Sequence, residues 1–382
     1  MKPTSLLAAL GLCVFTIIAS PAQAAEIVVG QVAPLTGRDA SQGRAYAAGM
    51  KLAFEAANRA AGSGGNTFTL LVRDDAGRPE QTVRLTRELL AGSAPLVLAG
   101  YVGGRGLDGL LTAGLLEKEQ IALVGFRDGE VRPEIPWLYN VRARLGDEVN
   151  KIAEHLATLG MTRLALLHED GPAVAALVSA TEEAARHAKI LLVARAAYPE
   201  GTTRVSDAVD ALVKAEPQAI LVVASGAAAA RFIEQYRSAG GAAQVFVHAG
   251  ADMEQVAKQI AQERSAFVSS VMQGVAIAQV MPNPYRISSP LIKDFHEQLA
   301  RAPKLGEPVS YVMLEGYINA RVIVEAVRRQ GARPTREGLA AALERMDGFN
   351  LGGFVVSFRP GTHSGSRFVE LSIISSTGKI RE

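Results

Sequence analysis

The sequence predicts an α/β protein of two Rossmann-like lobes, each a parallel sheet flanked by helices. Three observations predict it. Short apolar runs alternate with helical patterns almost without interruption, which is the signature of parallel sheets covered on both faces. The runs fall into two series, one ending near Val124 and one running from Leu164 to Ile277. Removal of a secretion leader leaves residues 25–382, too many for one ordinary core at roughly 100–200 residues per domain.

The leader is Met1–Ala24. Lys2 precedes an apolar run, Leu6–Ile18, and Ala22-Gln23-Ala24 offers an A-x-A cleavage site. Without a twin Arg, the chain is expected to be exported unfolded. It then works outside the cytoplasm, where ATP and NAD are scarce. Strand Ile27–Ala33 follows, then a Pro34–Gly37 loop, then helix Gln42–Ala60 with Ala45, Ala48, Gly49, Ala53 and Ala56 on a small-residue face that allows close packing. The first series continues with strands Phe68–Arg73, Leu96–Ala99 and Ile121–Val124, and helices Glu80–Ala91 and Leu107–Glu119. The second has strands Leu164–Leu167, Ile190–Ala194, Ile220–Ala224, Val245–Val247 and Val271–Ile277. Its helices are Asp147–Leu159, Ala173–His187, Val205–Ala215, Ala227–Ala239 and Met253–Ile260. Helix Val309–Arg329 carries a wide apolar stripe and is followed by helix Thr335–Met346. The alternation at Val369–Ile374 and the Ser375–Gly378 turn predict a terminal hairpin. No low-complexity linker occurs, so short crossings join the lobes. We expect residues 25–143 with 278–350 in the first lobe, and 144–277 with 351–382 in the second.

Composition narrows the function. The 40 Lys and Arg nearly balance 38 Asp and Glu, which argues against nucleic acid or a membrane surface as the main partner. No later apolar run reaches the ~20 residues needed to span a bilayer. The single cysteine, Cys13, lies in the leader and follows Leu12, a poor context for lipid attachment. The mature chain has no disulfide and no thiol nucleophile. The six His lack H-x-x-H or H-E-x-x-H spacing, and no G-x-S-x-G elbow or Walker loop occurs. Gly104, Gly106 and Gly109 formally match G-x-G-x-x-G, but begin several residues after a strand and in a third βα unit. No metal or cofactor is expected, and no enzyme activity.

The opening GQVAPLTGRDASQGRAYAAGMKLAFEAANRAAG, followed by LLVRDDAGRPEQTVRLTRELL, resembles the periplasmic amino-acid-binding proteins of the branched-chain (Leu/Ile/Val) type. These are solute receptors of ABC importers with a type I periplasmic-binding fold. The matching residues are Pro34-Leu35-Thr36-Gly37, Gly43, Gly49, Asn58, Gly62, Asp74-Asp75 and Pro79, with the Glu-Gly-Tyr-x-x-Ala core of the late helix. The resemblance spans nearly the whole mature chain. It implies a periplasmic, monomeric protein whose two lobes hinge shut over a small solute in the cleft between them. Its partner would be an inner-membrane permease. The same architecture could instead present its ligand to a membrane sensor, and genomic neighbours would discriminate the two.

The family's ligand loops are altered here: Gly100–Gly106, Gly125–Gly129 and His168–Pro172 stand in their places. Ligands of open parallel sheets bind beyond the carboxyl ends of strands. That position selects Thr36, Tyr101, Gly103, Gly104, Arg127 and Asp128 in the first lobe. In the second it selects Ser225, His248 and Asp252. The glycines permit a sharp turn and equally expose N–H groups at a helix N-terminus, an anion site. Arg127 could clamp a carboxylate with two parallel hydrogen bonds, or pair with Asp128 or Glu130 at the surface. Tyr101 could stack on a ligand or fill the strand end. Ser225 could donate to ligand or cap its helix. His248 fits a satisfied core position better than a ligand contact. Arg127 and the glycine amides favour a carboxylate-bearing solute, an amino acid or another organic acid.

Overall fold

The computed structural model describes residues 25–62, 65–263, 271–302 and 305–381. The leader, its cleavage site and Cys13 lie outside them.

Strands β1 (Glu26–Ala33), β2 (Thr67–Asp74), β3 (Val97–Val102), β4 (Leu123–Arg127) and β5 (Leu138–Tyr139) form the first sheet, ordered β2-β1-β3-β4-β5. All its pairings are parallel. Helices α1 (Ala40–Ala61), α2 (Pro79–Ser93), α3 (Gly104–Thr112) and α4 (Leu115–Lys118) connect these strands. The expected helix Leu107–Glu119 is two helices because Gly114, at φ +62°, breaks it. In the second lobe, α5 (Leu145–Thr158), β6 (Arg163–Glu169), α6 (Val174–His187), β7 (Leu191–Tyr198) and α7 (Ser206–Ala215) lead on. They are followed by β8 (Ala219–Val223), α8 (Gly226–Ser238), β9 (Gln244–Val247), α9 (Met253–Glu263) and β10 (Ala276–Gln279). The chain then returns through α10 (Pro290–Arg301), α11 (Tyr311–Arg328) and α12 (Arg336–Glu344) to the first lobe. A short hairpin, β11 (Phe349–Asn350) with β12 (Val355–Val356), follows. The chain ends in β13 (Glu370–Ile374) and β14 (Ile380–Arg381). The second sheet runs β14-β13-β10-β9-β8-β6-β7, with its last two strands antiparallel. The terminal hairpin is therefore an extension of the second sheet.

Helix α11 lies against α1 backbone to backbone. A Cβ at Gly49 would overlap the Met313 carbonyl oxygen, and one at Gly316 the Tyr46 carbonyl oxygen. The small-residue face of α1 serves this contact. Both helices bury into one core with Val29, Val97 and Val124 of the sheet.

Core membership indicates where the chain crosses between lobes. The first crossing falls between Ala143, in the first core, and Leu145, in the second lobe's core. Val280 and Met281 are back in the first core directly after β10. Leu351, Phe354, Val356 and Phe358, expected with the second lobe, also pack there. The apolar alternation of this hairpin is too short to reveal which lobe it covers.

Candidate functional site

The carboxyl ends of both sheets face one cleft of about 250 Å³. Helices α1, α3, α6 and α8 all begin at it. Their first-turn N–H groups lie outside the helical ladders and carry the positive ends of the helix dipoles.

Gly103, Gly104, Arg127, Asp128, Ser225 and His248 line this cleft. Gly103 holds φ +104°, a conformation that favours glycine, and its N–H donates to the Arg127 carbonyl at 2.9 Å. Nothing lies within 4 Å of where its Cβ would be. At the α3 N-terminus, by contrast, the Glu130 carboxyl packs against Gly104, in the space a Cβ there would take.

Arg127 is buried and committed. Its Nε donates to Gln42 Oε1 at 2.9 Å, its Nη2 donates to the Ala249 carbonyl at 2.9 Å, and its Nη1 pairs with Glu315. The carboxylate clamp expected of it is made internally, to Glu315 on α11. The surface pairing with Asp128 or Glu130 is not made by Arg127 either. Arg132 takes that role, holding Asp108 at 2.7 Å, Asp128 at 2.5 Å and Glu130 at 2.8 Å. Burial pushes the Glu130 carboxyl up to about 7, with Arg132 opposing the shift.

Ser225 caps α8, its Oγ accepting from the Ala228 N–H at 3.4 Å. His248 is 3% exposed, and its Nε2 lies 3.1 Å from the Ala224 carbonyl oxygen. A carbonyl only accepts, so Nε2 carries the proton and Nδ1 is a bare acceptor with no partner. Burial pushes its pKa down to about 4.

Three predicted residues do not line the cleft. The Thr36 hydroxyl donates to Asp74 Oδ2 at 2.6 Å, and the Leu35 N–H donates to Asp74 Oδ1 at 2.8 Å, closing the Pro34–Gly37 loop. Tyr101 is buried with its hydroxyl 2.9 Å from Thr86 Oγ1. Strand β3 runs on to Val102, so Tyr101 is inside the strand and points into the core instead of standing on the loop after it. Asp252, at φ +49°, sits behind Arg127 beside Ala249 and Glu315. Burial pushes its carboxyl up to about 7.

Sequence reasoning missed Asp39, Gln42, Arg105, Glu169 and Glu200, all of which line the cleft. Burial raises the Asp39 carboxyl while Arg38 and Arg105 lower it. Arg105 of the first lobe lies 3.9 Å from Glu200 of the second. Glu169 shapes the second lobe's rim, accepting from the Gly201 N–H at 2.5 Å and the Tyr198 hydroxyl at 3.1 Å. The available signal was position: Asp39 precedes α1, and Glu169 ends β6 within the altered His168–Pro172 loop.

Among the described residues, no group of three or more His, Cys, Asp and Glu could hold a metal. No described helix is long and apolar enough to cross a membrane.

Comparison with known proteins fits this geometry. A substrate-binding periplasmic protein from Ralstonia solanacearum is 32% identical, with a TM-score of 0.83 over 93% of this chain and 99% of that one. An extracellular ligand-binding receptor from Verminephrobacter eiseniae is 26% identical, with a TM-score of 0.81 over 94% and 100%. The Leu/Ile/Val-binding protein homolog 2 of Brucella abortus is 30% identical over 95 residues, 25% of this chain and 26% of that protein's length. Residues 26–378 match the family described as periplasmic binding protein. Two α/β lobes, a cleft at their facing strand ends and a family match over residues 26–378 lead to one conclusion: the chain belongs to the periplasmic binding protein family.

Proposed function

We propose that this protein is the periplasmic substrate-binding component of an ABC importer, and that it takes up a small carboxylate-bearing solute by hinge closure. The observation that carries the reading is the convergence of four helix N-termini on one cleft between the lobes. The ligand's carboxylate docks first on the α3 amides at Gly104–Gly106, beside Arg105. Because Arg127 is spent on Glu315, Arg105 supplies the mobile guanidinium. Asp39 and Glu169 face the same space and suit a cationic group on the same solute. The second lobe then closes, bringing Glu200 and the 169–172 loop over the ligand. A permease in the inner membrane recognises the closed form. Cleavage after Ala24 accompanies export, which the mass of the secreted protein checks.

A thermal-shift screen of residues 25–382 against amino acids, aromatic acids and dicarboxylates tests the reading. A ligand at about 100 times its Kd stabilises the fold by about 2.7 kcal/mol. The expected outcome is a hit among carboxylates whose affinity falls about 10- to 100-fold in Arg105→Ala. The reading fails if only solutes without a carboxylate bind, or if Arg105→Ala binds the hit unchanged.

A further inference from the structure

A second pocket, of about 510 Å³, opens on the first lobe and shares no lining residue with the cleft. One wall is the segment 134–139, which leads into β5 at the edge of the sheet. Another is helix α12, and the loop carrying Gly361 and His363 completes it. Glu337, Ala340, Ala341 and Glu344 stand on one face of α12, at i, i+3, i+4 and i+7. The two small side chains leave room between the two glutamates. Trp137, the only tryptophan of the chain, lines the same space half-buried, with its carbonyl accepting from the Leu123 N–H at 2.8 Å.

The charge in this pocket is unbalanced. Glu134 is engaged: it pairs with Arg144 and accepts from the His363 N–H at 2.8 Å. Among the described residues, no Lys or Arg pairs with Glu337 or Glu344. His363 is 8% exposed, and its ring lies against Tyr139 with centroids 4.3 Å apart. Its Nδ1 lies 3.0 Å from the Ile135 carbonyl oxygen. A carbonyl only accepts, so Nδ1 carries the proton and Nε2 is an acceptor. Nε2 makes no hydrogen bond among the described residues and faces Glu344 Oε1 at 3.8 Å. The Tyr139 hydroxyl meets the same carboxylate oxygen only at 3.5 Å. Two acceptors thus face each other with no strong donor between them. One ammonium nitrogen, with three N–H donors, can lie within about 3 Å of both.

We propose that this pocket is a second ligand site, separate from the cleft, which takes a primary ammonium on a small apolar body. Glu344 Oε1 and His363 Nε2 accept from the ammonium, Glu337 adds negative charge, and Trp137 with the two alanines packs on the body. The proposal does not depend on what the cleft binds.

Benzylamine is the probe, and Trp137 is the reporter because no other tryptophan emits. We expect a saturable change in Trp137 emission, matched by calorimetry, that benzyl alcohol and benzoate do not give. Benzyltrimethylammonium keeps the charge without an N–H and should bind at least about tenfold more weakly. Glu344→Gln should weaken benzylamine at least about tenfold. Glu337→Gln, at an exposed position, should weaken it about two- to fivefold. Arg105→Ala, in the cleft, should leave it unchanged. If Glu344→Gln fails to melt cooperatively, Glu337→Gln and benzyltrimethylammonium decide. A His363 that simply pairs with Glu344 leaves no place for an amine, and absence of benzylamine binding overturns the proposal. So does equal binding of benzyl alcohol or benzyltrimethylammonium, or unchanged affinity in Glu344→Gln. Loss of binding in Arg105→Ala with none in Glu344→Gln puts the amine in the cleft and overturns it as well.

Discussion

The two lobes share a βα plan but present different surfaces to the cleft. The first lobe is closed upon itself. Its helices α1 and α11 meet at backbone distance, and most of its cleft charge is paired within it: Arg127 with Gln42 and Glu315, and Arg132 with three carboxylates, while Arg105 reaches Glu200 across the cleft. The second lobe's cleft face is built from the 169–172 loop, with Glu169 held by the Gly201 N–H and the Tyr198 hydroxyl, and from Ser225 and His248. In the function proposed above, the first lobe is the side on which the solute docks and the second the cover that completes the site. Preorganisation of the docking side lowers the entropy cost of the first encounter.

The largest effect that could break this contrast lies in the helix pair. Gly316→Ala drives a Cβ into the Tyr46 carbonyl, and we expect a loss of at least about 3 kcal/mol by chemical unfolding. Gly171→Ala, on the second lobe's cleft loop, meets nothing within 4 Å and should stay within about 0.5 kcal/mol. Equal losses would show that the lobes do not differ in tightness. Next comes Arg127→Ala, which strands Glu315 in the interior and should cost about 3–5 kcal/mol. A variant of undiminished stability would return Arg127 to the role of a free ligand clamp.

The smallest effect is a pH dependence at the join. Burial raises the Asp252 carboxyl to about 7, so the folded state holds its proton more tightly than the unfolded state. The stability linked to that proton is full below the unfolded pKa of 3.8 and is lost as pH rises through 7. Asparagine is neutral and tolerates the φ of +49°. Relative to the unaltered protein, Asp252→Asn should therefore gain roughly 2–4 kcal/mol between pH 4 and pH 8. Urea titrations at the two pH values check this, and a constant difference would mean that Asp252 is ionised and compensated in the fold.

The elements were legible because parallel strands buried on both faces are continuous apolar runs. Val97–Ala99 and Ile220–Val223 could hardly be anything else. Strand ends were less legible. The two polar-looking residues Tyr101 and Arg127 lie within β3 and β4, because each strand runs about three residues past its apolar segment. The site was legible as a set of positions, the carboxyl ends of strands, but not as a set of roles. Arg127 and Glu315 are 188 residues apart, and nothing local to either announces that one consumes the other. Helix α10 went unread because the residues before it, from Met281 to Ser289, carry four polar or turn-forming types and mask the amphipathic run that Pro290 opens.

The seating of α1 against α11 also bears on the order of events in the chain's life. The small-residue face around Gly49 has no complement until Met313 and Gly316 have been synthesised, and the second sheet lacks its outer strands until residues 370–381 follow. The core shared by α1 and α11 therefore cannot close from a partial chain, and contacts of such long sequence separation form slowly. The seating of α1 is thus a late event, reached only when almost the whole chain is available.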